Sequence, residues 1–303
     1  MKAIVIREYG GPEVLKLEDY PIPTAGLGEV LIKVAATSIN PLDYKQRSGS
    51  LKSRVPIQLP GILGVDVSGT AAELGAGVTN FAVGEPVFAM AGKTYAEFCA
   101  VKAENLAKIP DGLDLIEAAA LPLVLTTGYT LITKGTDVKA GQTILVTGAV
   151  GSVGRSAVFT AKQRGATVIA GVRRKQLEEA RKIGADQLIA LDDSQDIARL
   201  PQLDAVADTI GGTIAKSLIT KVREGGTYAS VVRPPGNASE YPKVRVVPIF
   251  ALPDAKALSS LAQAVIEKRL VIPIGMKLPL RDAAKGHAVV EKGDIGKVLL
   301  IPG

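Results

Sequence analysis

The chain has 303 residues, of which 47% are hydrophobic and 22% charged, so it is long enough for about two domains and can bury a sizeable core. Its net charge of +6 could suggest a nucleic-acid partner, but aromatic residues reach only 4%, tryptophan is absent and the cations are scattered, which leaves an attraction for small polyanions. One cysteine, Cys99, and one histidine, His287, exclude an intrachain disulfide and argue against zinc, which takes three or four ligands drawn mainly from those residue types.

Along the chain, Met1–Arg7 reads as a short strand rather than a signal peptide, and no later run approaches the roughly 18 apolar residues of a membrane span. A cytoplasmic location is the expectation. The first 110 or so residues carry β-type runs broken by Gly and Pro, including Glu29–Val34, Val65–Thr70 and Glu85–Ala89, and point to an antiparallel, barrel-like domain. Cys99, in a strand-like run after Tyr95 and Phe98, reads as a small buried hydrophobe.

From about Leu115 strand and helix patterns alternate, which predicts a parallel sheet. Strands are expected at Thr143–Thr147, Thr167–Ala170, Gln187–Leu191, Ala205–Asp208 and Thr227–Val232. Helices are expected at Val153–Arg164, Gln176–Ile183 and Ile214–Val222, the first two stopped by Gly165 and Gly184. A helix over Ala255–Lys268, the run Ile272–Pro279, a charged helix and a strand Val298–Ile301 complete the chain, and these last residues return to the first domain. His287, in the charged helix, is distant in sequence from every motif and reads as a surface or packing residue.

Between the first strand and first helix of the alternating region lies Gly148-Ala149-Val150-Gly151-Ser152-Val153-Gly154. Gly148 suits a tight turn, Gly151 lets backbone approach a pyrophosphate, and Gly154 permits close helix packing, while the helix N-terminus offers free N–H groups to an anion. Dinucleotide binding follows from that placement. NAD-preferring domains usually carry an acid at the end of the second strand, but here the chain reads Gly171-Val172-Arg173-Arg174-Lys175, three cations for a 2′-phosphate, so the expected cofactor is NADPH.

With these residues in view the chain resembles the zinc-independent quinone oxidoreductase (zeta-crystallin-like) branch of the medium-chain dehydrogenase/reductase superfamily, nearly end to end. The resemblance is carried by Ser38-Ile39-Asn40-Pro41-Leu42-Asp43 with Arg47-Ser48-Gly49, Gly64–Gly69, Leu121-Pro122-Leu123 through Thr127-Gly128-Tyr129, the Gly148–Gly154 loop, Asp208-Thr209-Ile210-Gly211-Gly212 and Gly296-Lys297-Val298. Ser38 and Val65 stand where zinc-dependent relatives have metal-binding Cys and His. The resemblance implies an α/β protein with a GroES-like β-rich catalytic domain over 1–115 and 271–303 and a Rossmann doubly wound parallel sheet over 116–270, with the cofactor in the cleft between them. It also implies a homodimer or homotetramer. Two departures stand out: Leu191 replaces a tyrosine often found beside the adenosine phosphate, and Tyr44-Lys45-Gln46 differs from the usual pattern inside the Asn40 motif.

The implied reaction is hydride transfer from NADPH to a quinone or another small conjugated carbonyl, whose oxygen gains charge and is stabilised by a hydrogen-bond donor. Asn40 and Thr127 are expected to line the nicotinamide and the acceptor, with Tyr44, Lys45 or Tyr129 as candidate donors. Thr209, Ile210, Gly211 and Lys297 join the glycine loop and Arg173–Lys175 as expected cofactor contacts, and no metal is expected. Each has a plainer reading: Asn40 before Pro41 suits a turn, Thr127 a helix, and the tyrosines simple packing. The alternatives in function are reduction of an alkenal or enone carbon–carbon double bond, or a non-catalytic NADPH-binding sensor or RNA-binding protein.

Overall fold

Strand Glu29–Ile39 organises the first half of the chain, and its near-continuous burial, rather than an in–out alternation, marks it as enclosed on both faces. In the computed structural model, which describes residues 1–303, it pairs antiparallel with Asp66–Leu74, Phe98–Lys102 and Lys297–Ile301. Register shifts against Asp66–Leu74 at Leu31/Ile32 and Val34/Ala36 bend the pair as bulges do, which helps a sheet curl into a barrel. The sheet has seven strands, with Ile274–Pro279 and Lys297–Ile301 at one edge and Pro86–Met90 and Leu106–Lys108 at the other. A smaller three-stranded sheet pairs Lys2–Ile6 with Lys16–Asp19 and Gly61–Ile62.

This β-rich unit comprises Met1–Leu123, Pro253–Glu267 and Ile272–Gly303. Its apolar interior includes Val30, Ile32, Val67, Val87 and Cys99, the last 2% exposed and therefore packed as expected. Helix Ala255–Ile266 counts with this unit, whereas the sequence reading drew the boundary at residue 270. The difference arises because chain alternation does not reveal which sheet a terminal helix covers.

The second unit, Val124–Leu252 with Lys268–Val271, is a six-stranded parallel sheet in the spatial order Gln187–Ala190, Thr167–Val172, Thr143–Thr147, Leu203–Asp208, Val222–Ser230, Arg245–Pro248. This is the doubly wound order, whose direction of winding reverses between Thr143–Thr147 and Leu203–Asp208. Helices Ser152–Gln163 and Gly212–Ile219 follow those two strands. Core side chains lie on both sheet faces, with Ile144, Val146, Val158 and Val168 on one and Leu145, Ile169, Val206 and Leu218 on the other. The helix expected over Gln176–Ile183 is only the single turn Leu177–Ala180, preceded by a 3-10 turn at Arg174–Gln176. No helix of the protein is long and apolar enough to cross a membrane.

Candidate active site

At the point where the winding reverses, the end of strand Thr143–Thr147 turns through Gly148 at φ +60° into helix Ser152–Gln163. Gly148 accepts the Gly151 N–H at 2.9 Å, and the first intrahelical bond runs from the Arg155 N–H to the Gly151 carbonyl. The N-terminus of this helix carries no side-chain cap, so its first-turn N–H groups at Ser152, Val153 and Gly154 lack intrahelical acceptors and face outward for an anion. The third glycine is enforced by backbone: a Cβ on Gly154 would lie 2.2 Å from the Gly148 carbonyl oxygen and 2.7 Å from Ala149 Cα. Gly151 is less constrained, its Cβ meeting only the Gly148 carbonyl oxygen at 3.2 Å. Ala149 and Val150 between them are buried, and the Arg155 guanidinium donates to the Val150 carbonyl at 2.8 Å and pairs with Glu179, fixing the loop from below. Arg155 was not singled out in the sequence. Its signal was an arginine one residue past the last glycine.

The adjoining strand to the far side ends in Asp208, and this carboxylate organises the next turn. Asp208 Oδ1 accepts from Thr147 Oγ1 at 2.8 Å and from the N–H groups of Ile210 and Gly211 at 3.0 Å each. Thr209 in turn donates from its N–H to Thr147 Oγ1 at 2.9 Å and from its hydroxyl to the Thr147 carbonyl at 2.8 Å. Thr209, Ile210 and Gly211 are thereby tied beside the glycine loop at the carboxyl ends of neighbouring strands, where open α/β sheets bind ligands. Ile210 is 49% exposed, an apolar side chain held out by a rigid turn.

On the other flank, strand Thr167–Val172 runs into Arg173, Arg174 and Lys175, all exposed. Arg173 Nε donates to Gln176 Oε1 at 3.3 Å. The Arg174 backbone N–H donates to Asp192 Oδ1 at 2.8 Å and its guanidinium pairs with Asp193. Two acids from the end of the third strand thus hold Arg174 in place, a feature the sequence reading missed because they lie 18 and 19 residues on. A shallow pocket of about 300 Å³ lies on this side of the sheet, lined in part by Leu191, Asp192, Thr213 and Ile214. Thr127 and Tyr129, both half-buried, sit on helix Pro122–Thr130, which follows the first unit into the second.

In the β-rich unit the sequence around Asn40 makes a short helix, Pro41–Arg47, rather than a turn. Pro41 at its first position is pre-set for helical φ, and the carboxylate of Asp43 accepts the Asn40 N–H at 2.7 Å. Asn40 itself is 1% exposed and its amide is engaged at both ends. Its Nδ2 donates to Asp66 Oδ2 at 2.8 Å, and its Oδ1 accepts from Lys297 Nζ at 2.6 Å. Lys297 also lies 3.3 Å from Asp66 Oδ2, which further accepts from Ser38 Oγ at 2.5 Å. Asp66 Oδ1 accepts the Leu123 N–H at 2.7 Å.

This cluster is dry: Asp43 and Asp66 are 0% exposed and Lys297 4%. Burial depresses the Lys297 ammonium below the usual lysine range against the pull of Asp66 and Asp43. Asn40 and Lys297, both predicted site residues, are brought into direct contact across 257 positions, while Asp43 and Asp66, which complete the cluster, were quoted in motifs but given no role. Tyr44 and Lys45 are half-buried on the same helix. Burial and Glu291 hold the Tyr44 phenol above its ordinary pKa, so it remains a hydrogen-bond donor.

Of the surface and packing roles open to His287, the structure shows packing: it is 0% exposed, with Nδ1 3.1 Å from Arg47 Nη1 and Nε2 3.2 Å from the Tyr95 hydroxyl. With both ring nitrogens engaged it has no lone pair to spare. Cys99 lies in apolar packing that pushes its thiol up to about 12. No group of three or more His, Cys, Asp or Glu side chains converges as a metal site, so the donors of this chain do not fit zinc.

Residues 26–111 match the alcohol dehydrogenase GroES-like domain family and residues 183–300 match the family described as zinc-binding dehydrogenase. The chain is 30% identical to the chloroplast envelope quinone oxidoreductase homolog of Arabidopsis thaliana, over 100% of its length and 98% of the relative. It is 35% identical to the Arabidopsis thaliana chloroplastic NADPH-dependent alkenal/one oxidoreductase, over 78% of the chain and 64% of that relative. The solved structure of Escherichia coli quinone oxidoreductase complexed with NADPH superposes with a TM-score of 0.88 at 25% identity, covering 100% of both chains. A GroES-like β unit, a doubly wound parallel sheet with its glycine loop at the switch point, and this end-to-end likeness place the chain in the quinone oxidoreductase branch of the medium-chain dehydrogenase/reductase superfamily.

Proposed function

We propose that the chain is an NADPH-dependent oxidoreductase that reduces a quinone or another small conjugated carbonyl compound. The observation that carries this reading is the uncapped helix N-terminus behind a backbone-enforced glycine cradle, flanked by the acid-free run Arg173-Arg174-Lys175. NADPH, when bound, supplies a hydride from its nicotinamide. The N–H groups of Ser152, Val153 and Gly154 would hold the pyrophosphate, and Arg173 with Arg174 the 2′-phosphate. Asp192 and Asp193 keep Arg174 pre-positioned for that anion. Thr209, Ile210 and Gly211 form the opposing wall of the loop. Asn40, locked between Lys297 and Asp66, orients neighbouring groups, whereas the half-buried Tyr44 and Lys45 carry donors suited to an acceptor oxygen as charge develops there. Thr127 is assigned to the nicotinamide side.

A screen of NADPH oxidation over quinones, alkenals, cyclic enones and simple aldehydes tests the reading. Turnover is expected with quinones or enones, and oxidation of ethanol or propanol with NADP⁺ is not, because the single histidine is held near pKa 3 by burial and Arg47 and cannot serve as base. Efficient alcohol oxidation would reject it. A second reading, reduction of the carbon–carbon double bond of an alkenal or enone, is supported by the 35% identical alkenal/one oxidoreductase and is separated from the first by the product formed.

Cofactor choice gives a further check. Arg173→Ala with Arg174→Ala is expected to raise the KM for NADPH roughly tenfold or more through lost charge-assisted bonds, leaving the KM for NADH nearly unchanged. Equal losses with both cofactors would make these arginines structural.

A further inference from the structure

A second polar assembly in the β-rich unit has no role in the reaction as outlined so far. Arg47 Nη2 donates to Glu291 Oε1 at 2.5 Å, Arg47 Nη1 lies 3.1 Å from His287 Nδ1, and His287 Nε2 lies 3.2 Å from the Tyr95 hydroxyl. Arg47, His287, Tyr95 and Asp43 are all buried. The chemistry of the first member fixes the direction of the rest. A guanidinium is always charged and only donates, so His287 Nδ1 must accept. The neutral imidazole then carries its proton on Nε2 and donates to the Tyr95 oxygen. The tyrosine's own proton is left for another acceptor. Asp43 Oδ1 is buried with no hydrogen-bond partner of its own, an acceptor still open, and the influence of Tyr95 on this carboxyl favours its charged form. The other oxygen, Oδ2, accepts the Asn40 N–H at 2.7 Å.

We propose that Arg47, His287 and Tyr95 form a one-way hydrogen-bond relay that turns the Tyr95 proton toward Asp43 and favours its ionised form, and that ionised Asp43 is a positioning residue that sets the geometry of Asn40. The inference rests on the functional reading above. Asp43 faces Asp66 and Lys297 on two other strands, Tyr95 in the loop before strand Phe98–Lys102, and the Asn40 N–H ahead of its own helix; His287, on helix Ala283–Lys292, and Arg47 act through Tyr95. Burial raises the carboxyl to about 7, with Asp66 adding to the rise and the Asn40 N–H, Lys297 and Tyr95 opposing it. Protonation as the pH falls through about 7 therefore removes a charge from beside Asn40 and occupies the oxygen left open for the Tyr95 proton, and turnover falls with it. Stability moves the other way. A carboxyl raised in the folded state contributes stability that is complete below the ordinary aspartate range, about pH 4, and is lost as the pH rises through the folded value. A merely structural role would move turnover and stability together.

The chain's single histidine makes the relay directly readable, since histidine labelled with ¹⁵N gives one imidazole and its NMR spectrum needs no assignment. The wild-type protein is expected to show the Nε2–H tautomer, neutral from about pH 5 to 8. Tyr95→Phe should move the acid limb of kcat/KM upward by roughly one pH unit. Asp43→Asn should flatten that limb and lower kcat roughly tenfold to a hundredfold without lowering the thermal midpoint. An Nδ1–H tautomer or an imidazolium at neutral pH in an active protein overturns the relay, and Asp43→Asn with wild-type kcat and pH profile overturns the positioning role. Should Tyr95→Phe fail to fold, the wild-type spectrum and the Asp43→Asn profile decide. A wild-type protein for which no quinone or enone supports NADPH oxidation rejects the functional reading and the positioning role together, while its histidine tautomer still judges the relay.

Discussion

Gly154→Ala is expected to raise the dissociation constant for NADPH about a hundredfold while the protein still folds. The new Cβ would sit 2.2 Å from the Gly148 carbonyl oxygen, 2.7 Å from Ala149 Cα and 2.8 Å from the Gly148 carbonyl carbon. All three are backbone atoms, so none can rotate aside, and the loop and helix must separate by about 1 Å to restore ordinary contact. Overpacking of this kind costs about 1–3 kcal/mol of stability, which a domain of ordinary stability survives. The larger effect falls on the anion site. The first-turn N–H groups are aimed by the very contact that is broken, and losing one charge-assisted bond at about 1.5–3 kcal/mol spans the roughly 2.7 kcal/mol of a hundredfold weakening. Gly151→Ala is the matched control, because its Cβ meets only the Gly148 carbonyl oxygen at 3.2 Å and a shift of a few tenths of an ångström relieves it. Fluorescence titration with NADPH measures both variants. Gly154→Ala binding as tightly as the parent would mean that the pyrophosphate is not seated on this helix.

Lys297→Met is expected to lower stability by about 3–5 kcal/mol, because it strips the cation from a buried cluster and leaves Asp66 without compensation. Lys297 is the cation that reaches both the Asn40 amide oxygen and Asp66. Methionine is similar in length and apolar, so packing changes little and the lost charge dominates. Urea denaturation reads the effect as a lower midpoint. Asp66→Asn added to Lys297→Met should recover part of the loss, since an amide can keep the bond from Ser38 without an unpaired charge. A Lys297→Met protein with an unchanged midpoint would show that water reaches Asp66 and that the cluster is not dry.

Local chemistry was readable from the sequence and distant chemistry was not. The glycine loop could be placed because strand, turn and helix each announce themselves within a few residues, and the observed helix Ser152–Gln163 begins within one position of its expected start. Asn40-Pro41-Leu42-Asp43 contains an N-cap, a proline at the first helical position and an acid at the third, signals for helix Pro41–Arg47 that the turn-like look of Asn-Pro obscured. The helix expected beyond Gln176 dwindled to one turn between a run of cations, unfavourable at a helix start, and Gly184 at φ +77°. Strand Arg245–Pro248 escaped notice because it is four residues long, half-buried and ends in proline, with no alternation to betray it. The partners of Asn40 and His287 could not be read at all, since only the paired strands bring Lys297 to Asn40, and Arg47 and His287 lie 240 positions apart.

The β-rich unit closes with strand Lys297–Ile301, which pairs with Thr37, Ser38 and Ile39 near the opposite end of the chain. Synthesis on the ribosome proceeds from the N-terminus, so the order in which the parts emerge differs from the order in which they can become stable. The central stretch Val124–Leu252 carries all six strands of its own sheet and can condense as soon as it has emerged. The residues before it wait, with Asp43 and Asp66 lacking Lys297 and strand Glu29–Ile39 open at the edge that the last strand will cover. An incomplete chain ending before Lys297 therefore presents an unpaired strand edge and two uncompensated carboxylates, the features by which a truncated product is distinguished from a finished one by proteases and chaperones.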